Sequence, residues 1–296
     1  MLSQRVYGLA LGEEDLNDHE QLRKDPVVGV LAGREQLAPP LAGKSTLHRM
    51  ELGAGVKDRY QKITFCKEGI DERLVTFFIE AHLNAPTAIV LDVDTTDLPL
   101  HGQQEGRFFH AYYAHYCYLP LYIFCGAHVL CARLRESPHD ASCGSLVEIR
   151  RIVAQIRAAW PEVKIILRGD SGFCRNELMS WGEDHGVDFV FGMARNQRLR
   201  KIIGAQRQAA TPPWNETGKP ARIFTECEYQ TRKRKNRGGW SRRRRVVAKA
   251  EHMAGKETPR CVGTSLCRER CTPKVLYQEI YCARGDRENR LPQSEA

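Results

Sequence analysis

Apolar positions recur with the spacing of strands in TAIVLDVD (residues 87–94), HVLCARL (128–134), VKIILRGD (163–170) and VDFVFGM (187–193), each bounded by turn-forming residues. The aromatic segment FFHAYYAHYCYLPLYIFCG (108–126) predicts a strand pair. Between these runs the period changes. Leu146, Ile149, Ile152, Val153, Ile156 and Trp160 repeat at helical spacing until Pro161 closes the pattern. A second helix is expected from Arg175 to His185 and a short basic one over NQRLRKII (196–203). A strand-rich start followed by alternating helix and strand predicts a mixed α/β sheet covered by helices.

The flanks read differently. Residues 1–84 are mixed, charged and helical in character, with a loop around AGREQLAPPLAGKS. GKST at its end looks like half of a phosphate-binding loop. However, Ala38 stands where that loop needs glycine and no strand leads in, so Ser45 is expected to cap the next helix instead. Residues 211–270 hold a Pro-rich loop and then ARIFTECEYQ, RRRRVVAKAEH and RCVGTSL, which predict strands of a subordinate, mainly β insertion. The last pattern, KVLYQEIYCARGDRENRL, is helical. The expected parts are thus a helical region at 1–84, a first core segment at 85–210, a β-rich insertion at 211–270 and a final core segment at 271–296.

Charge narrows the class of partner. In 296 residues, 45 Lys and Arg against 36 Asp and Glu leave a formal charge of +9. That excess is compatible with a polyanion without demonstrating one. Its distribution says more, since TRKRKNRGGWSRRRR (231–245) places nine basic side chains in fifteen positions around Trp240. Such a run suits a phosphate backbone, with the indole as a stacking surface or wedge. No run is long and apolar enough to span a bilayer, and the N-terminus meets acid too early for a secretory signal, so a cytoplasmic location is expected. The eleven cysteines are scattered among apolar residues and read as reduced, mostly buried thiols. Cys261, Cys267, Cys271 and Cys282 lack the paired spacing of a zinc site.

Candidate chemistry lies in VLDVDTTDLPLHG (90–102), where Asp92, Asp94 and Asp97 follow an apolar run. On a strand, Asp92 and Asp94 share a face while Val93 points away. Asp170 ends another apolar strand at the turn RGDSGF. Strand ends at a sheet edge are common places for chemistry in open α/β folds, although Asp is also an ordinary turn residue there. Two such carboxylates suit a hard divalent cation, magnesium or manganese. A third is available in Glu288, one turn after Arg284 on the last helix. A trio of this kind activates water or a hydroxyl for in-line phosphoryl transfer.

The chain resembles the bacterial insertion-sequence transposases of the IS1380 group, within the IS4-like DDE transposases. The resemblance is carried by ALGEEDLNDHEQLRKDP, LAGKSTLHRME, LDVDTTDLPLHGQQEGRFFHAYY, YCYLPLYIFCG, IILRGDSGF, VDFVFGMARNQRL, SRRRRVVAKAEH and YCARGDRENR, in the expected order along nearly the whole chain. It implies a ribonuclease-H-like core whose acids are Asp94, Asp170 and Glu288, holding two Mg2+ (or Mn2+) ions. It further implies cleavage of double-stranded DNA at transposon ends and joining to target DNA, dimeric assembly on paired ends, and a nucleoid-associated location. By the same resemblance, Arg284 contacts a phosphate and Tyr281 positions the helix, while the β-rich insertion meets DNA through Trp240, Arg245 and Lys249. Relatives carry more sequence at both ends, and position 295 holds Glu295 where the group signature has a lysine. The expectation is therefore a truncated copy with impaired activity. The alternative is an inactive DNA-binding remnant that interferes with an intact transposase.

Overall fold

The computed structural model describes residues 1–36, 39–52, 66–100, 102–209, 221–231, 239–253, 256–257 and 259–284. The chain divides into two units, Met1–Gly69 and Ile70–Ala296.

The first unit contains the helices α1 (Leu2–Ala10), α2 (His19–Leu22), α3 (Pro26–Leu31) and α4 (Lys44–Leu52). Pro26 opens α3 where its missing amide costs nothing, and Asp25 caps that helix by accepting from the Val27 and Val28 amides. Ser45 lies inside α4 and is not its cap. The helix starts one residue earlier, and the Lys44 amide donates to Glu20 Oε1 (3.1 Å). The side chain of Gln4 is buried and bonds to both the amide and the carbonyl of Ala42.

The second unit takes up the chain within α5 (Lys67–Glu80) and continues with β1 (Ala88–Thr95), β2 (Leu98–Pro99), β3 (Phe108–His110), β4 (His115–Tyr118), β5 (Leu121–Cys125) and β6 (His128–Arg133). Then come α6 (Ser145–Ala159), β7 (Lys164–Gly169), α7 (Asn176–Asp184), β8 (Asp188–Met193), α8 (Gln197–Ile202) and α9 (Gly204–Ala209). The strands β9 (Ala221–Tyr229), β10 (Arg244–Met253), β11 (Lys256–Glu257) and β12 (Arg260–Thr264) follow. The described chain ends in a continuous helical stretch. It starts as the short α10 (Pro273–Val275), widens to a π-helical segment over Leu276–Tyr281 and tightens at Cys282–Arg284.

Strands β6, β5, β1, β7 and β8 lie side by side in that order. β1, β7 and β8 run parallel, while β5 and β6 are antiparallel to their neighbours. This is the ribonuclease-H-like arrangement. The expected aromatic strand pair at 108–126 resolves into three strands. β5 enters the main sheet, whereas β3 and β4 join β2 in a small antiparallel sheet. The strands of the β-rich region are contiguous with the main sheet, because β12 pairs with β8, β10 with β12, and β9 and β11 with β10.

The core follows from the apolar period. Ile149, Ile152, Val153 and Ile156 of α6 pack against Leu91 and Val93 of β1, Leu121 and Ile123 of β5, and Leu167 of β7. A second cluster joins Val190, Val247 and Val262 of the sheet to Leu276 and Tyr277 of the final helix. Strand alternation explains β10, where Val246 faces the first cluster and Val247 the second. The cysteines are less uniformly buried than their apolar neighbours suggest. Cys117, Cys125, Cys131 and Cys271 are buried, but Cys66, Cys143, Cys267 and Cys282 are exposed. No described helix is long and apolar enough to cross a membrane.

Candidate active site

β1 and β7 are parallel neighbours, with Val93 opposite Gly169. One residue further along each strand, Asp94 and Asp170 emerge side by side at the C-terminal ends. Their arrangement at the oxygens is the same. The Thr95 amide donates to Asp94 Oδ1 (2.9 Å) and the Gly172 amide to Asp170 Oδ1 (2.7 Å). Neither Oδ2 has a protein partner among the described residues. Burial pushes the Asp94 carboxyl above its ordinary range; Arg284 and the Thr95 amide oppose the shift, and the nearby Asp170 charge adds to it.

The same register disposes of Asp92. Two residues back from each acid, Asp92 lies opposite Arg168. Asp92 is only 4% exposed, and its carboxylate takes both Arg168 Nε and Nη2, the latter at 2.9 Å. Arg168 also donates to the Ile280 carbonyl of the final helix. Asp92 is therefore part of a buried ion pair that ties β1 and β7 to the segment carrying Tyr281 and Arg284.

That segment reaches the acids. Arg284 Nη2 donates to Asp94 Oδ1 (2.9 Å). Tyr281 is half-buried over β8, where Gly192 makes its approach possible, since a methyl at 192 would overlap the phenol oxygen. Burial pushes the Tyr281 phenol upward, against the opposing charge of Arg284 and with a contribution from Asp170. Gly169 serves the same end on β7. A Cβ there would press on Phe173 and on the Val93 carbonyl, so glycine lets the Asp170 turn close against β1.

The expected DNA-facing residues have intramolecular places. Trp240 is 6% exposed and sits edge-on to Tyr229, with ring centroids 5.8 Å apart. Arg245 pairs with Glu226 (2.6 Å) and donates to the Leu266 and Cys271 carbonyls. Lys249 pairs with Glu251 (2.6 Å) and lies over the Tyr277 ring. On β10, Lys249 lies against Tyr277 of the final helical stretch, while Arg245 bonds to the segment that leads into it. Glu288 lies outside the described residues, as do residues 232–238 of the basic run.

Two neighbours of the acids, Tyr113 and His115, are not singled out in the sequence, and a third, Asp97, lies in the candidate stretch 90–102. Tyr113, at the tip of the β3–β4 hairpin, has its phenol raised to about 12 by burial and by the charges of Asp97, Asp94 and Asp170. Asp97 Oδ2 lies 2.8 Å from His115 Nε2 of the same hairpin, close in distance although not aligned as a hydrogen bond.

For a divalent cation, the donor set fits at two positions. Asp94 and Asp170 offer oxygen ligands, pre-oriented by backbone amides and each with one oxygen unclaimed. Among the described residues no three candidate ligands converge.

The model of the family described as Transposase DDE domain group 1 matches residues 1–295. The chain belongs to that family. No curated protein matches it. A solved structure, the cryo-EM structure of the piggyBac transposase synaptic complex with hairpin DNA, aligns with a TM-score of 0.38 at 11% identity. The alignment covers 76% of this chain, which spans 46% of that one, and a likeness so slight adds no weight. Asp94 and Asp170 stand at neighbouring strand ends of the ribonuclease-H-like sheet.

Proposed function

We propose that this member of the DDE transposase family transfers phosphoryl groups on DNA, cutting at the ends of a mobile element and joining them to a target. The observation that carries the reading is the pair Asp94 and Asp170 at adjacent parallel strand ends, each with one oxygen held by a backbone amide and the other open. Asp94 and Asp170 would hold divalent ions, with Glu288 as the third ligand. Bound magnesium or manganese would polarise the scissile phosphate and lower the pKa of an attacking water or 3′ hydroxyl.

The chain's own groups prepare that site. The Thr95 and Gly172 amides fix the two carboxylates before any ligand arrives, which lowers the reorganisation left for the reaction. Arg284 sits on Asp94 and is placed to exchange that carboxylate for a phosphate oxygen, since guanidinium binds either oxyanion in the same fork geometry. Arg168 keeps Arg284 in reach by holding the Ile280 carbonyl. Tyr281 wedges against β8 and sets the rotation of the segment. Two copies acting on paired ends would complete the assembly.

The test is strand cleavage and joining on DNA that carries the element's flanking ends, with magnesium or manganese added. The reading expects metal-dependent products from the wild type and their loss in Asp94→Asn. A folded wild type that binds DNA in a salt-sensitive way and makes no cut would instead favour the binding-only alternative. Cleavage that persists in Asp94→Asn would remove Asp94 from the chemistry.

A further inference from the structure

The small sheet sits at the mouth of the acid pair because the chain leaves no room for another course. β1 ends at Thr95, directly after Asp94, and only Thr96 and Asp97 separate it from β2. At the other end, Leu119 and Pro120 join β4 to β5, whose Leu121 lies opposite Thr95. Both exits of the small sheet are thus pinned at the strand end that carries Asp94. A further tether holds β3, where the Ser137 hydroxyl donates to the Phe108 carbonyl (3.0 Å).

Strand alternation then sorts the hairpin side chains. His115 and Cys117 share one face of β4, where His115 meets Asp97 and Cys117 is buried. Phe109 and Tyr116, opposite each other across the β3–β4 pair, share the other face and are exposed, with ring centroids 5.7 Å apart. Arg107 lies over the Tyr116 ring at 4.9 Å and adds positive charge to this face. At the tip, Tyr113 lies near the acids, whereas Tyr112, its ring nearly perpendicular to that of Tyr113, is 84% exposed. The turn closes through Ala114 at φ 59°, the single non-glycine residue with positive φ among the described residues. That conformation is costly for alanine and is kept only where the surroundings demand it.

Exposed rings beside an acidic site need an occupant. Phe109, Tyr112 and Tyr116 together offer roughly 380 Å² of exposed surface, taking side chains of this class at about 200 Å² each. A stable protein interface needs about 800 Å² on each partner, so a second copy of the chain is a poor match. An unstacked nucleobase is a good one. It buries a flat π face on a ring, and the phosphate beside it finds a guanidinium. We infer that the β3–β4 hairpin is a stacking platform for unpaired bases of the DNA strand whose phosphate enters the Asp94–Asp170 site, with Tyr112 at its tip and the Phe109–Tyr116 pair with Arg107 on its outer face. The inference rests on the function proposed above. It deepens that reading by naming the substrate's form, a duplex end whose terminal bases have separated.

The test uses a short duplex frayed at one end, with 2-aminopurine at an unpaired position, and the same duplex fully paired. Binding and fluorescence are measured without added divalent metal, so the readout does not need turnover. The wild type is expected to prefer the frayed duplex and to quench the 2-aminopurine. Tyr112→Ala, and separately the pair Phe109→Ala with Tyr116→Ala, should lose about tenfold or more of that preference together with the quenching, the scale for removing a ring stacked on a base. Tyr112→Phe keeps the ring and should retain both. The exposure of Tyr112 makes its substitution safe for the fold, and circular dichroism checks the double variant. The proposal is overturned if the wild type shows no preference, if the alanine variants keep it, or if Tyr112→Phe fails as badly as Tyr112→Ala. It is also overturned if the variants change only self-association in sedimentation. The two readings fail separately. Quenched, frayed-end binding by a wild type that never cuts would count against the proposed reaction alone, and cutting with unaltered frayed-end binding in the ring variants would count against the platform alone.

Discussion

Replacing Asp92 by alanine would strand Arg168, which is 3% exposed and takes both carboxylate oxygens of Asp92 as its charge partner. A buried pair of this kind gives little net stability over a matched apolar pair, because desolvation of both ions offsets their attraction. Breaking it on one side is a different matter. The remaining guanidinium keeps its desolvation cost and retains only the Ile280 carbonyl as a described partner, so Asp92→Ala should cost about 3–5 kcal/mol. Replacing both partners by apolar residues of similar size, Asp92→Leu with Arg168→Met, should recover much of that loss. Urea denaturation of the two single variants and the double variant measures the coupling. The double variant should still lack full activity even when stable, since the Ile280 carbonyl has lost its donor and the segment carrying Arg284 is no longer tied to β7. A cost below about 1 kcal/mol for Asp92→Ala would refute the reasoning. So would a double variant no more stable than the worse single one.

Other substitutions probe separate joints. Gly192→Ala should destabilise the fold by about 1–3 kcal/mol by driving a methyl into the Tyr281 hydroxyl, and Tyr281→Phe added to it should relieve part of the loss, as thermal melts would show. Trp240→Ala should cost about 3–5 kcal/mol as a core truncation, while folded Trp240→Phe should bind DNA as the wild type does; a selective loss of affinity would return Trp240 to the interface. Burial pushes the Asp140 carboxyl up, but Arg175 and the Ser142 hydroxyl and amide outweigh it and bring it to about 2. The depressed value means Asp140 adds stability above its ordinary pKa near 3.8 and loses it as pH falls toward 2. Because Asp140 and Arg175 are both about half exposed, the gain is below about 1 kcal/mol, and Asp140→Asn should flatten the stability profile only in that acid window.

Much of this was legible in the chain. The period-two runs at 88–95, 164–169 and 188–193 and the helical stripe of α6 place the central sheet and its cover, and Asp94 and Asp170 stand at the ends of the first two. The sequence names no partner for Asp92, which the structure pairs with Arg168. The partner became visible only with the register, because arginine in an apolar strand carries no local sign of being buried. The basic run shows the same dependence on register, over the part of it that is described. Alternation along β10 sends Arg244 to Glu183 and Arg245 to Glu226, and Lys249 further along to Glu251, pairings that the run of like charges does not display. The role of the small sheet depends on where both its ends are anchored, which no window of sequence displays.

The central claim is that Asp94 and Asp170 form one divalent-cation site. Manganese titration of the purified chain, followed by electron paramagnetic resonance, tests it without knowledge of the DNA end. The account predicts saturable binding by the wild type that is lost or greatly weakened in Asp94→Asn and in Asp170→Asn, and retained in Trp240→Phe. Manganese binding that is the same in both aspartate variants as in the wild type would contradict it.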